Sequence, residues 1–463
     1  MARSRLLLAA ALLALVAGRA AEGASISSLQ FLGEARLPNG LMFKDTEVGG
    51  LSALAWDGAG ATYLALSDDG SERAPARLYR LTIDFKDGKL EDGDVKVTGL
   101  VTLRNTDNQP FAKLTVDPEG LAQAEGGFLF LSSEGRAQDG IPPFIREYAP
   151  NGLVRRELLL PGYYLPTPDG KRGVRNNLGF EALTLTSDGG FLFAGLENSL
   201  AQDEPQADFK VASPSRLLRF DASSGRITGE FLYWVDPVFA QPKPPTGRKL
   251  NGLVELLGLD RNSLLALERA WVEGVGHDIR LYHVGVRGAT DIAGVAQLPQ
   301  PPTNIKPLEK DLLLNLSALG IQLDNIEGMS FGPYLPDGRR TLILVSDNNF
   351  DSKQVTQFLA FAISDRSLGL AGVLGGNPGV GAWIWDLNGR VAKLSPGGEG
   401  FWLGEFRPPA PGTAERSLFV TLPAGVKVKV GDSVDVSGRL ERQQGSEALT
   451  LKASAIGVIS TEE

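Results

Sequence analysis

Glu327 opens an apolar run, Glu327-Gly328-Met329-Ser330-Phe331, and Asp347 closes another, Leu342 to Val345 followed by Ser346-Asp347-Asn348. A turn at Pro336-Asp337-Gly338 joins them, so the two runs read as a hairpin. One carboxylate stands at the start of the first strand and the other at the end of the second, which puts both at the same end. Carboxylates gathered without thiols, and with almost no imidazole, suit hard cations and metal-assisted hydrolysis.

The same grammar recurs. Glu119 and Glu134 frame Pro118-Glu119-Gly120-Leu121 and Phe128 to Gly135, while Glu181 and Glu197 frame Phe180-Glu181-Ala182-Leu183 and Phe191 to Asn198. Looser copies pair Gly50 with Asp68 and Gly252 with Glu268-Arg269. The five copies follow one another at intervals of roughly 60 to 75 residues, the signature of small antiparallel sheets repeated around an axis. The fold class is therefore all-β, a β-propeller. A third strand is legible in every repeat, from Arg77-Leu78-Tyr79-Arg80-Leu81 to Gln357-Phe358-Leu359-Ala360-Phe361, and a fourth in the first four. None follows Phe361, and Leu29 to Ala35 can supply it, closing the ring and pairing its open edges. This predicts five blades of four strands, with a sixth, poorly marked blade left open.

Residues 1–23 carry Arg3 and Arg5, an apolar stretch from Leu6 to Ala17 and small residues at Ala20 and Ala21, the layout of a secretory signal. An extracytoplasmic location is expected, with no membrane span in the remainder. The net charge of −9, with 55 acidic against 46 basic residues, repels nucleic acid and anionic lipid and attracts divalent cations. The absence of cysteine excludes disulfides and thiolate chemistry. His277 and His283 fall on one face of a strand-like run and read as a satisfied pair on a sheet edge. Leu308 to Leu319 is the one helix candidate. Two Pro-rich, basic insertions, Pro161 to Asn177 and Asp236 to Lys249, read either as shaping a substrate entrance or as ordinary surface loops.

The propeller pattern spans 24–365. A glycine-rich linker is expected at 366–381 and a small β-barrel at 382–463, where V-x-V-G-D-x-V-x-V-S-G-x-L, ending the strand-like run from Val426 to Leu440, resembles barrels of the oligonucleotide/oligosaccharide-binding class. That barrel could touch a glycan or another surface, or merely cover an edge. A monomer is expected.

In a propeller the first strand of each blade lines the central channel. Glu119, Glu181 and Glu327, with Asp68, Glu134, Glu197, Glu268 and Asp347, would then form a ring of negative charge. Two unit charges 4 Å apart repel by about 4 kcal/mol in an intermediate dielectric. Such a ring must take up protons, form salt bridges or hold cations, and oxygen-only ligation favours Ca²⁺, with Mg²⁺ or an additional metal also open. The plainer reading gives each acid to the backbone amides of its own turn. Arg136 and Arg269 follow acidic motifs directly, and metals beside guanidinium groups are what phosphoryl transfer to water requires.

The succession G-G-L-S-A-L, D-P-E-G-L-A, G-F-E-A-L-T, L-L-A-L-E-R and N-I-E-G-M-S-F with L-V-S-D-N-N-F resembles the secreted bacterial family called phytase-like, or "esterase-like activity of phytase", over roughly Ile26 to Ile363. The resemblance implies a β-propeller and a distant kinship with calcium-dependent propeller phosphatases and propeller phytases. It implies Glu119, Glu181 and Glu327 as metal ligands, and Glu268 with Arg269 as a metal and phosphate pair. Gly50 and Asn251-Gly252 stand where other blades carry an acid, and there is no cysteine of the kind one phosphatase type uses near its iron. The expected function is a metal-dependent phosphoesterase acting on a small phosphate ester. The catalytic residues would be Glu268, Arg269 and Arg136, and the metal ligands Asp68, Glu119, Glu134, Glu181, Glu197, Glu327 and Asp347. The alternatives are a calcium-dependent carboxylic-ester or lactone hydrolase and a non-catalytic binding propeller. No G-x-S-x-G elbow occurs, which disfavours a serine hydrolase.

Overall fold

Four successive four-stranded antiparallel sheets occupy the chain from Leu51 to Asn315, and a fifth begins at Asn325. The computed structural model describes residues 26–58, 62–364, 370–374, 380–405, 417–442 and 448–460, so the expected secretory signal lies outside the described residues. The fifth sheet, Asn325–Tyr334, Arg340–Asp347 and Thr356–Ser364, takes its fourth strand from Ser28–Leu37 at the start of the described chain. The first strands of the blades are Leu51–Trp56, Pro118–Gln123, Phe180–Leu185, Lys249–Gly258 and Asn325–Tyr334. Each lies against the next, and the last lies against the first, so the ring is closed.

The blades hold together through five separate apolar cores, one at each interface between neighbours. Successive side chains on a strand point to opposite faces, and here both faces are covered. In blade 4, Leu265 and Leu267 pack toward blade 5 while Leu264 and Ala266 pack toward blade 3. This double burial is why the second strands read as unbroken apolar runs such as Leu264-Leu265-Ala266-Leu267 rather than as alternating ones. At about 25 cal/mol per Å² of apolar surface removed from water, these interfaces are the main stabilisation of the ring.

The helix expected over Leu308 to Leu319 is instead the fourth strand of blade 4, Glu309–Asn315, followed by a single 3-10 turn at Leu316–Leu319. It pairs with Gly276–Gly285. The unpaired edge of that strand, rather than the local helical spacing, decides the conformation.

After the ring, Trp383–Leu394, Gly400–Gly404, Ser417–Thr421, Leu449–Ser460 and Ser433–Arg442 pair in that order, and the last pairs with the first to close a five-stranded barrel. Ser417–Thr421 and Leu449–Ser460 run parallel and the other pairs antiparallel. Part of the stretch read as a linker is a short helix, Leu370–Leu374, whose Leu370 and Val373 belong to the barrel core. Val426 to Val430, read as strand, is irregular. The barrel joins the ring through Ser28 and Leu29, which pair with Ile384 and Trp383.

Candidate metal centre

In every blade the pairing between first and second strands slips at the same place. The slips fall between Leu51 and Ala53, Pro118 and Leu121, Phe180 and Ala182, Leu253 and Glu255, and Ile326 and Gly328. Such a bulge bends the strand and re-aims a side chain. The residues in the slips are Ser52, Glu119 with Gly120, Glu181, Val254 and Glu327, so three blades present an acid there. Ser52 and Val254, not Gly50 and Gly252, are the counterparts of the three glutamates.

The second strands supply another tier. The residue just after the one paired with Leu51, Pro118, Phe180, Leu253 or Ile326 is respectively Asp68, Glu134, Glu197, Arg269 or Asp347. Blade 4 thus contributes a guanidinium where the other four blades contribute a carboxylate. Glu268, expected in the ring, faces the other side of its strand. It accepts from Tyr233 Oη at 2.8 Å, Asn251 Nδ2 at 3.0 Å, Asp236 N at 3.0 Å and Lys310 Nζ at 2.6 Å, and it does not line the cavity. Adjacent positions on a strand cannot share a face, so Glu268 and Arg269 do not act as a pair at one site.

The tiers surround a cavity of about 600 Å³. Asp68, Asp117, Glu119, Glu181, Glu327, Asp347 and Arg269 line it, with Glu134 and Glu197 buried behind. Arg269 donates to Glu327 and lies 3.6 Å from Glu197, which anchors its guanidinium among the acids. Its Nε is buried with no hydrogen-bond partner among the described residues. Arg136 is placed elsewhere. Its Nε donates to Asp139 Oδ2 at 2.8 Å, and it reaches the site only through its charge on Asp117.

Among the described residues one group of three could hold a metal ion: Asp117, Glu119 and Glu134 offer ligand atoms within 4.8 Å of one another. Glu134 also accepts from Gly179 N at 2.8 Å, so one oxygen is fixed by the neighbouring blade. Oxygen-only donors of high charge fit a hard dication.

The electrostatics say the same. Burial, and after it Glu181, Asp68, Asp117 and Glu134, pushes Glu119 well above the usual carboxylate range. Burial and then Glu197, Glu134 and Glu327 do so for Glu181, against the pull of Arg269. Asp68 is raised by burial, Asp347 and Glu327, and Glu134 by burial and Asp117. Burial takes Asp347 to about 8, with Glu327 adding to it, and Glu197 to about 7 against Arg269. Asp117 rises to about 6 by burial, with Arg136 opposing. A cation among these groups would relieve repulsion that protons otherwise absorb.

Asp117, Leu250, Trp271 and His277 line the cavity but are not among the candidates that the sequence singles out for a functional role. Asp117 stands two residues before Glu119, and that spacing was the available clue. His277 is not an idle sheet-edge residue, since it lines the cavity; burial and then Arg269 lower it to about 4, so it is neutral. The two insertions reach the cavity through their far ends, Asn177 and Arg248. Thr167 to Arg172 and Arg175 instead border a separate open basin of about 1150 Å³ with Gln202, Gln297 and Gln300. A further buried acid, Glu255, accepts from Leu256 N at 2.9 Å and from Leu183 N at 3.3 Å, tying blade 4 to blade 3.

Among curated proteins none matches the sequence. Among solved structures, the PQQ-bound form of an aldose sugar dehydrogenase from Streptomyces coelicolor is similar at 12% identity and a TM-score of 0.30, over 74% of this chain and 100% of that one. An α-L-arabinofuranosidase from Lactobacillus brevis is similar at 9% identity and a TM-score of 0.38, over 68% of this chain and 91% of that one. Likenesses this distant carry no argument about activity. Residues 46–350, more than half of the sequence, match the phytase-like family described as "Esterase-like activity of phytase", and the chain belongs to that family.

Proposed function

We propose that the protein is a metal-dependent phosphoesterase that hydrolyses a small phosphate ester at the acid-lined cavity. The observation that carries this reading is the close placement of Asp117, Glu119 and Glu134 in a site that also presents Arg269. The family description, with its reference to esterase-like activity, supports a hydrolase of ester bonds.

Asp117, Glu119 and Glu134 would hold the cation, with Ca²⁺ favoured by the all-oxygen donors. When bound, a dication supplies Lewis-acid polarisation of a phosphoryl oxygen and lowers the pKa of water. The protein's own groups do the rest. Arg269, its side chain fixed by Glu197 and Glu327, offers N–H groups to the phosphate and to the charge that develops on it. Asp68 and Asp347 remain in the same cavity, and either can take the proton released by the attacking water. The acid-rich surface disfavours nucleic acid as substrate. Among the described residues no helix is long and apolar enough to cross a membrane, and the signal-like first 23 residues support an extracytoplasmic location.

Parallel assays with p-nitrophenyl phosphate and p-nitrophenyl acetate, with and without EGTA, test the reading alongside metal analysis of the purified protein. The expected result is phosphate hydrolysis abolished by EGTA and restored by Ca²⁺. Preference for the acetate would replace the reading with a carboxylic-ester hydrolase, and hydrolysis of neither with a binding protein.

A further inference from the structure

Blade 4 is built differently from blades 1 to 3. Its first three strands are each ten residues long, whereas the first two strands of blades 1 to 3 have five or six. The added length on the second strand carries Trp271, two positions beyond Arg269 and on the same face, so it stands about 7 Å further along the strand. Leu250 pairs with Trp271 on one side, and His277 pairs with it on the other. All three line the cavity. The site is therefore two-sided, with carboxylates and Arg269 at its floor and a neutral wall of Leu250, Trp271 and His277 rising from one blade.

We propose that this wall recognises the leaving group, and that the preferred substrate is a phosphate monoester of an alcohol bearing a flat, uncharged ring, stacked on Trp271. The inference rests on the phosphoesterase reading and adds the substrate class. A cavity of about 600 Å³ has room for such a group beside the phosphate. Charge decides against a polyphosphorylated alcohol. Among the described residues the cationic side chains lining the cavity are Arg248 and Arg269, and Arg269 is already bound to Glu327. Arg248 lies over the Trp271 ring at 5.6 Å, where it can flank a stacked ring but cannot neutralise several phosphates.

Calorimetric binding of phenylphosphonate and methylphosphonate to the Ca²⁺-loaded protein, with rates for benzyl phosphate, ethyl phosphate and inositol hexakisphosphate, tests this. Phenylphosphonate should bind about tenfold more tightly than methylphosphonate, the advantage expected of one good ring contact. Trp271→Ala should erase that advantage and Trp271→Phe keep most of it, with methylphosphonate binding unchanged in both as the measure of an intact site. Benzyl phosphate should exceed ethyl phosphate in kcat/KM, and inositol hexakisphosphate should be poorest. Equal binding of the two phosphonates, or a preference for inositol hexakisphosphate, would overturn the inference and leave the phosphoesterase reading standing. If no phosphate ester is cleaved but phenylphosphonate still binds selectively through Trp271, hydrolysis fails and ring recognition survives.

Discussion

A Cβ placed on Gly252 would stand 2.3 Å from Cγ of Glu197 in the neighbouring blade. The glycine at the start of the blade 4 hairpin is thus the space in which another blade's carboxylate lies, and that carboxylate in turn flanks Arg269.

Gly252→Ala should therefore act on the site rather than on the blade. Overpacking of this kind costs about 1–3 kcal/mol. The expected outcome is a Tm lower by several degrees and a fall in activity of at least tenfold, because Glu197 can no longer hold Arg269 in place. Wild-type activity in a correctly folded Gly252→Ala protein would break the link between the two residues.

Glu268→Gln separates the two faces of that same strand. Glu268 is buried and bonded to Lys310, Tyr233 and Asn251, so replacing it leaves Lys310 paired with Asp236 alone and weakens a buried network, a loss of about 1–3 kcal/mol. Denaturant unfolding should record the loss, while kcat of the folded fraction stays within about threefold of wild type. A collapse of kcat with unchanged stability would return Glu268 to the site.

Stability without metal should fall as pH rises. Glu197 at about 7 and Asp347 at about 8 lie above their ordinary values, so the native state holds protons that the unfolded state has released. With more protons bound in the native state, unfolding free energy decreases with pH between about 5 and 8. Thermal melts in chelator across that window should show a declining Tm, and Ca²⁺ should flatten the decline. A Tm that rises with pH in chelator would contradict the raised values.

Glu119→Gln should change metal affinity and stability in opposite directions. Calorimetry should show Ca²⁺ binding weakened at least tenfold, because one of three clustered carboxylates is gone. The metal-free protein at pH 8 should melt higher than wild type, since Glu119 is repelled by Glu181, Asp68, Asp117 and Glu134. Unaltered Ca²⁺ affinity would remove Glu119 from the ligand set.

Much of this was legible in the chain itself. The even spacing of the acid motifs marked the blades, and the missing fourth strand after Phe361 pointed to Leu29–Ala35 as its replacement, which the pairing of Ser28–Leu37 with Thr356–Ser364 bears out. The register at the mouth was not legible. Gly50 and Gly252 look like the first residues of an E-G or G-L motif, yet the bulge falls two residues later, on Ser52 and Val254. A one-residue slip moves every side chain to the other face, and that is how Glu268 came to stand in for Arg269. Trp271 drew no notice and His277 read as half of a satisfied sheet-edge pair, because an aromatic residue or a histidine on a strand looks alike whether it faces a core or a cavity.

The strand made first is the one used last. Ser27 bonds to Ser364, which lies 337 residues further on, and Trp385 N donates to Ser27 O at 2.9 Å. A single segment thus acts as both the clasp of the ring and the hinge pin of the barrel. During synthesis it must wait with both edges bare until nearly the whole propeller has emerged, and such distant pairings make folding slow. Locking also comes late: the cavity floor is assembled from blades 1 to 5, and no partial chain lacking the final blade can offer a substrate the complete set of groups.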